Sequence, residues 1–165
     1  MMIQAAIAVP DHAGLRPWRF IEIPTDARAE LADVFVACRK RQDPDANAEL
    51  LLHERDKAHR SPTLLCVCAQ LQPTHARVSV QEQLISVGAS IQNLLLFAHV
   101  LGYGAIMLSG NRVHEPALRT ALELTQDEVI AGFVSIGTIA VPAPSVRRPS
   151  PEEVFTVWRA KRNET

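Results

Sequence analysis

Charge of either sign is not in excess in this 165-residue sequence: 17 Lys and Arg stand against 18 Asp and Glu, a net charge of −1, and no basic stripe carries interleaved aromatics. A polyanion such as nucleic acid would find no field to follow. Cysteine is scarce; the three present cannot all pair, which suits a chain that folds without staples in the reducing cytosol. Cys66 and Cys68 are expected on opposite faces of a strand, unable to share a metal or a disulfide. Met1 to Val9 lacks the basic leader of a signal peptide, and the apolar stretch from Leu94 to Leu108 is interrupted by His99, Gly102 and Gly104, so neither reads as a membrane span. Several catalytic signatures are missing too. Gly102-Tyr-Gly104 has no third glycine at Met107 and precedes a strand, no P-loop occurs, and His53-Glu54 lacks the second histidine of H-E-x-x-H, His59 lying two residues too far. Ser109 sits in L-S-G-N and not in G-x-S-x-G, with no identifiable base, so neither metal nor seryl chemistry has support.

What is present is material for one core. With 47% hydrophobic and 21% charged residues, residues 1–165 form a single domain able to bury about 70% of its unfolded surface. A strand is expected at Arg19–Ile23. Thr25 and Asp26 then offer caps to an amphipathic helix carrying Leu31, Val34, Phe35 and Cys38. A second helix is expected from Asp43, with Pro44 in its first turn, to just before Pro62; its charged half, His53 to Arg60, reads as a solvated face. Leu64–Ala69 is a continuous apolar run and hence a strand covered on both sides. Further strands are expected at Gly104–Gly110 and Gly132–Ile139, with a short helix between them through Pro116, Leu118, Ala121 and Leu122. An arm from about 142 to 165 follows, stiffened by Pro142, Pro144, Pro149 and Pro151 and closing on a helix or tail at Glu152–Lys161. Four strands interspersed with helices make an α+β or α/β domain of three layers.

The longest helix carries an S-x-x-E capping box at Ser79 and Glu82 and a left-handed stop at Gly102. Between them Leu84, Ile85, Val87, Ile91, Leu94, Leu95, Phe97, Ala98 and Leu101 cannot share one stripe, while Gly88, Ala89 and Ser90 permit a close crossing. A second copy of the chain is expected to cover part of this helix. The other dense signal is VPDHAGLRPWRF, Val9 to Phe20. Pro10 and Pro17 stiffen the backbone that presents His12 and Arg16, as a loop holding a flat, polar-edged ligand requires. Trp18 and Phe20 as core residues and Arg16 as a solvated charge are the competing reading.

VPDHAGLRPWRF resembles the A-P-D-H-x-x-x-Q-P-W-x-F loop of the nitroreductase family, in its small branch of NAD(P)H nitroreductases. QEQLISVGASIQNLLLFAHVLGYGAIMLSG is similar to that family's central dimer helix, Gly-x-Gly turn and flavin-side strand, and GFVSIGTI with RRPSPEEVFTVW to its last core strand and C-terminal arm. The resemblance implies a three-layer α/β/α sandwich with a mixed four-stranded sheet, an intertwined homodimer, FMN as cofactor, and hydride transfer from NAD(P)H to a nitro compound, quinone or similar small-molecule acceptor in the cytoplasm. It places Ala8, His12 and Arg16 at the flavin, Ala8 standing where related sequences often have arginine and Arg16 in the place of Gln or Asn. Met107, Leu108 and Ser109 would border the ring, Leu108 again replacing a frequent arginine, and Arg148, beside Arg147, would reach the phosphate. No side chain is assigned a catalytic proton transfer. The family's opening helix and arginine-bearing phosphate turn are expected to be absent. Two readings follow: an FMN-dependent oxidoreductase, or a non-catalytic relative that keeps the dimer as a ligand-binding or interaction scaffold.

Overall fold

The computed structural model describes residues 1–159. The helices are α1 (Met2–Ala6), α2 (Arg28–Gln42), α3 (Ala48–Asp56), α4 (Val80–Val100), α5 (Pro116–Ala121) and α6 (Pro151–Val154). The strands β1 (Trp18–Glu22), β2 (Thr63–Gln70), β3 (Tyr103–Leu108) and β4 (Glu128–Thr138) form one sheet in the order β1-β2-β4-β3. The sheet is antiparallel throughout, where a mixed one was expected. The helix pair α2–α3 returns the chain to the end of β1 that it left, so β2 runs back against β1. α4 then crosses over to make β3 parallel to β2, but β4 inserts between them in the opposite sense and no two neighbours remain parallel.

The three layers follow from alternation along β2. Leu64, Cys66 and Cys68 pack with Leu31, Phe35 and Cys38 of α2 and Leu118 of α5, while Leu65, Val67 and Ala69 face Val87, Ile91, Leu94 and Ala98 of α4. Cys66 and Cys68 therefore share a face, contrary to expectation, with Sγ atoms 3.8 Å apart. Positions two apart on a strand point the same way. Both are free thiols, and burial together with the contact to Cys68 pushes the Cys66 thiol up. On β4 a bulge leaves Ala131 unpaired between Gly132↔Val67 and Ile130↔Cys68. The extra residue resets the alternation, so Ile130 and Phe133, three apart, both face the α2 side.

Other boundaries differ for identifiable reasons. Thr25 and Asp26 lie in a 3₁₀ turn, and neither caps α2, whose N-cap is Ala27. α3 starts at Ala48, not Asp43, because Asn47 accepts the Leu50 N–H. It stops at Asp56 because the buried Arg28 guanidinium takes the carbonyls of Ala58 and Ser61. The charged end of α3 is not simply a solvated face: Glu54 is buried and bound by Arg39, Lys57 and Arg112. α6 is one turn of the expected closing helix, and residues 160 and 161 lie outside the described segment.

α4 has the expected capping box, and Gly102 takes φ +83° just beyond its end. By length and composition it could cross a membrane, but here it lies along the sheet. Leu84, Ile85, Leu96 and Val100 remain exposed on its other side, as does the run Phe155, Val157 and Trp158 in the arm.

β4 begins four residues before its expected start, at Glu128, whose carboxylate is 1% exposed. Arg19 donates to both its oxygens at 3.0 Å, Thr125 N–H at 2.9 Å and Gln70 at 3.3 Å, so one carboxylate ties β1, β2 and the α5–β4 turn together. Burial alone would raise this carboxyl, but the Thr125 and Arg19 hydrogen bonds outweigh it and hold it below its ordinary 4.5. Glu54 is likewise lowered, its cations overcoming burial. The linked stability is complete above pH 4.5 and is lost as pH falls further, where the unfolded chain binds protons first. Thermal melts across pH should show that acid limb, and Glu128→Gln should flatten it while costing about 2 kcal/mol at neutral pH, Arg19 being exposed enough for water to screen the pair.

Candidate functional site

The Pro10–Pro17 loop is held in an unusual shape. Ala13 (φ +64°), Gly14 (φ +67°) and Arg16 (φ +50°) are all left-handed. Only glycine takes that region freely; Ala13 and Arg16 each cost about 1 kcal/mol there. Asp11 offsets part of this, its Oδ2 accepting the Arg16 N–H at 2.6 Å. The loop's exit is fixed by Pro17, which is buried and whose carbonyl accepts the Gln70 N–H at 3.0 Å.

His12 leans on α4, its Nδ1 2.9 Å from Glu82 Oε1, while Glu82 Oε2 closes the capping box on the Ser79 N–H. The Ser79 backbone and then His12 hold the Glu82 carboxyl at about 2. A carboxylate only accepts, so Nδ1 carries the proton that faces Glu82. The Arg16 side chain is exposed, with no side-chain partner among the described residues. Ala8 is exposed just past α1, which is tied to α4 by Asn93 donating to the Ala5 carbonyl at 3.1 Å.

Met107, Leu108 and Ser109 end β3, an edge strand with one row of backbone groups turned away from β4. Met107 packs toward α4, while Leu108 and Ser109 are exposed. The approach of β3 to β4 depends on Gly132: a Cβ there would lie 2.7 Å from the Met107 Cε and 2.8 Å from the Leu108 carbonyl oxygen. Alongside β3 an open cavity of about 480 Å³ is lined by Gly104, Ile106, Ser135, Gly137 and Ile139, a volume within the range of small-molecule sites.

The expected site residues fall into separate groups. The loop bearing His12 and Arg16 enters β1, one sheet edge, and Met107–Ser109 close β3, the other. Three interstrand spacings, about 14 Å, separate those edges. Arg148 lies on the exposed arm without a side-chain partner among the described residues, whereas Arg147 pairs with Glu153 at 2.9 Å. Trp18 and Phe20 are half-buried in the core on the α4 side. Two further residues shape the site: Asp11 holds the loop, and Glu82, besides capping α4, holds His12. An aspartate just before a glycine-containing turn is a backbone-capturing residue, and that signal was available. Among the described residues no three His, Cys, Asp or Glu side chains cluster as a metal requires.

Comparison with known proteins matches this architecture. The nitroreductase family model covers residues 1–138. A Haemophilus influenzae protein provisionally named NAD(P)H nitroreductase is 31% identical over 137 residues, 83% of this chain and 73% of its own. Escherichia coli YdjA, provisionally named likewise, is 27% identical over 158 residues, 95% and 85% of the two chains. Among solved structures, a nitroreductase-like family protein from Bacillus cereus superposes with a TM-score of 0.78 at 20% identity, covering 96% of this chain and 82% of its own. A provisionally named nitroreductase from Desulfovibrio desulfuricans, solved with FMN, gives 0.69 at 24% identity, with 94% and 81% covered.

Asp11→Ala should release the loop without unfolding the domain. Hydrogen exchange at the Arg16 amide is expected to accelerate at least tenfold, with the global melting temperature within a few degrees of wild type.

Proposed function

The chain belongs to the nitroreductase family, and from that premise we propose that it is an FMN-dependent oxidoreductase that works as a homodimer. The observation that carries the reading is the loop in which Ala13 and Arg16 are kept left-handed by Asp11 and Pro17. Strain of this kind persists where a side chain must be presented in one orientation. The chain's groups suit a flat ring with a polar rim. Leu108 and Ile106 offer apolar surface beside the unpaired backbone edge of β3, His12 offers its outward ring nitrogen Nε2, and Arg16 offers a guanidinium that would stabilise negative charge at the ring edge. Arg148 is the side chain we assign to the phosphate, and Ala8 lines the same region without adding charge. FMN held there would supply the redox chemistry, hydride transfer between NAD(P)H and a nitro compound, quinone or similar acceptor, while the residues named here would bind and orient it.

The same geometry supports a dimer. Within one chain β2 and β4 separate Met107, Leu108 and Ser109 from the loop bearing His12 and Arg16; a partner copy would set a second group beside the first. The uncovered apolar stripe of α4 and the exposed Phe155, Val157 and Trp158 give that partner surface to bury. The cytoplasm, where NAD(P)H is available, is the compartment this reading assigns.

Two measurements test it. The purified protein should take up FMN in calorimetry and bleach on anaerobic NAD(P)H addition, and Arg16→Ala should weaken FMN binding about tenfold. A chain that takes up no FMN would instead be the non-catalytic scaffold. A Cβ added at Gly88 would meet nothing within 4 Å beyond its own helix. Gly88→Leu should therefore leave the protomer folded yet shift the species seen by light scattering from dimer to monomer through overpacking at the helix crossing.

A further inference from the structure

Behind the end of β3, beside α2 and α3, lies a second cavity of about 150 Å³ whose charged lining the flavin reading does not use, Ser109 alone being common to both. Arg39, Lys57 and Arg112 line it around Glu54, with Ser109 at its wall. Glu54, 4% exposed, accepts from Lys57 Nζ at 2.6 Å, Arg39 Nη2 at 2.9 Å and Arg112 Nη1 at 2.9 Å. Three cations converge on one carboxylate, which leaves two positive charges without a counterion. The nearby Glu115 has its own cation in Arg41 at 3.5 Å, its Oε1 accepting from Gln42 and its Oε2 buried without a hydrogen bond.

The excess is held in place. The Arg112 guanidinium sits 4.4 Å over the Phe35 ring, and its side chain is only 16% exposed. Burial lowers its pKa; Glu54 opposes that effect, and Arg39 and Arg60 add to it. Solvation thus compensates poorly for the missing negative charge. Donors also remain unspent. A lysine carries three N–H groups and an arginine five, and Glu54 takes two from Arg39 and one each from Lys57 and Arg112. The buried Glu128 carboxylate, by contrast, meets a single cationic side chain, Arg19.

We propose that this cavity binds a phosphate group, whose two negative charges match the excess, with Arg39, Lys57 and Arg112 as its donors and Glu54 as the fixed charge that orients them. The space equals that of about five waters, enough for one such group with residual solvent. The phosphate is either free or an ester on a larger ligand entering past Ser109. The site does not depend on flavin binding.

Calorimetry with inorganic phosphate on the full-length protein tests this, in an Arg148→Ala background so that the position assigned to the FMN phosphate does not contribute. That parent should bind at a single site, and Lys57→Gln and Arg39→Gln added to it, both at partly exposed positions, should each weaken binding about tenfold with the fold retained by circular dichroism. Displacement by NADPH but not by NADH identifies a nucleotide's extra phosphate ester as the source, displacement by both identifies their shared pyrophosphate, and displacement by neither identifies the free anion. Absence of phosphate binding, or equal binding by the parent and both variants, overturns the proposal.

Discussion

Two strands with apolar side chains on both faces govern this architecture. β2 and β4 each need cover above and below, so the chain must place α2 and α5 on one face and α1 and α4 on the other, α3 packing behind α2. Once those layers are spent on the centre of the sheet, nothing remains in the described chain to cover its edges or the far side of α4. The groups with the chemistry of a binding site are the ones left there. A fold that protects its middle so fully leaves these chemistry-bearing groups at its periphery.

Charge reinforces that division. Glu128 clamps the end of the sheet from which the His12 loop departs, and Glu54 fastens α2, α3 and the segment after β3. The first is a matched pair that sets a backbone path, while the second is overmatched and so has something left to offer a ligand. Comparing the two identifies which buried carboxylate belongs to the scaffold and which belongs to a site.

Much of this was legible in the residues. The capping box of α4, the doubly covered β2, the three layers and the family resemblance of the Val9–Phe20 loop all follow from local spacing. Features set by distant partners were hidden. Periodicity cannot show that β4 inserts between β2 and β3, or that Ala131 is an extra residue that shifts the parity of β4. The end of α3 is decided by Arg28, about thirty positions upstream. Glu54 looked like one charge among many because Arg39 and Arg112 reach it from other elements. Cys66 and Cys68 were within reach of the sequence, since a strand's two-residue repeat already sets them side by side.

Those thiols give the protein an internal clock. Cys38, Cys66 and Cys68 are sealed in the layer between the sheet and α2, with 1% or less of each exposed. An alkylating reagent can meet them only when that layer parts, so the speed of modification reports how often the interior breathes, with no label to be introduced.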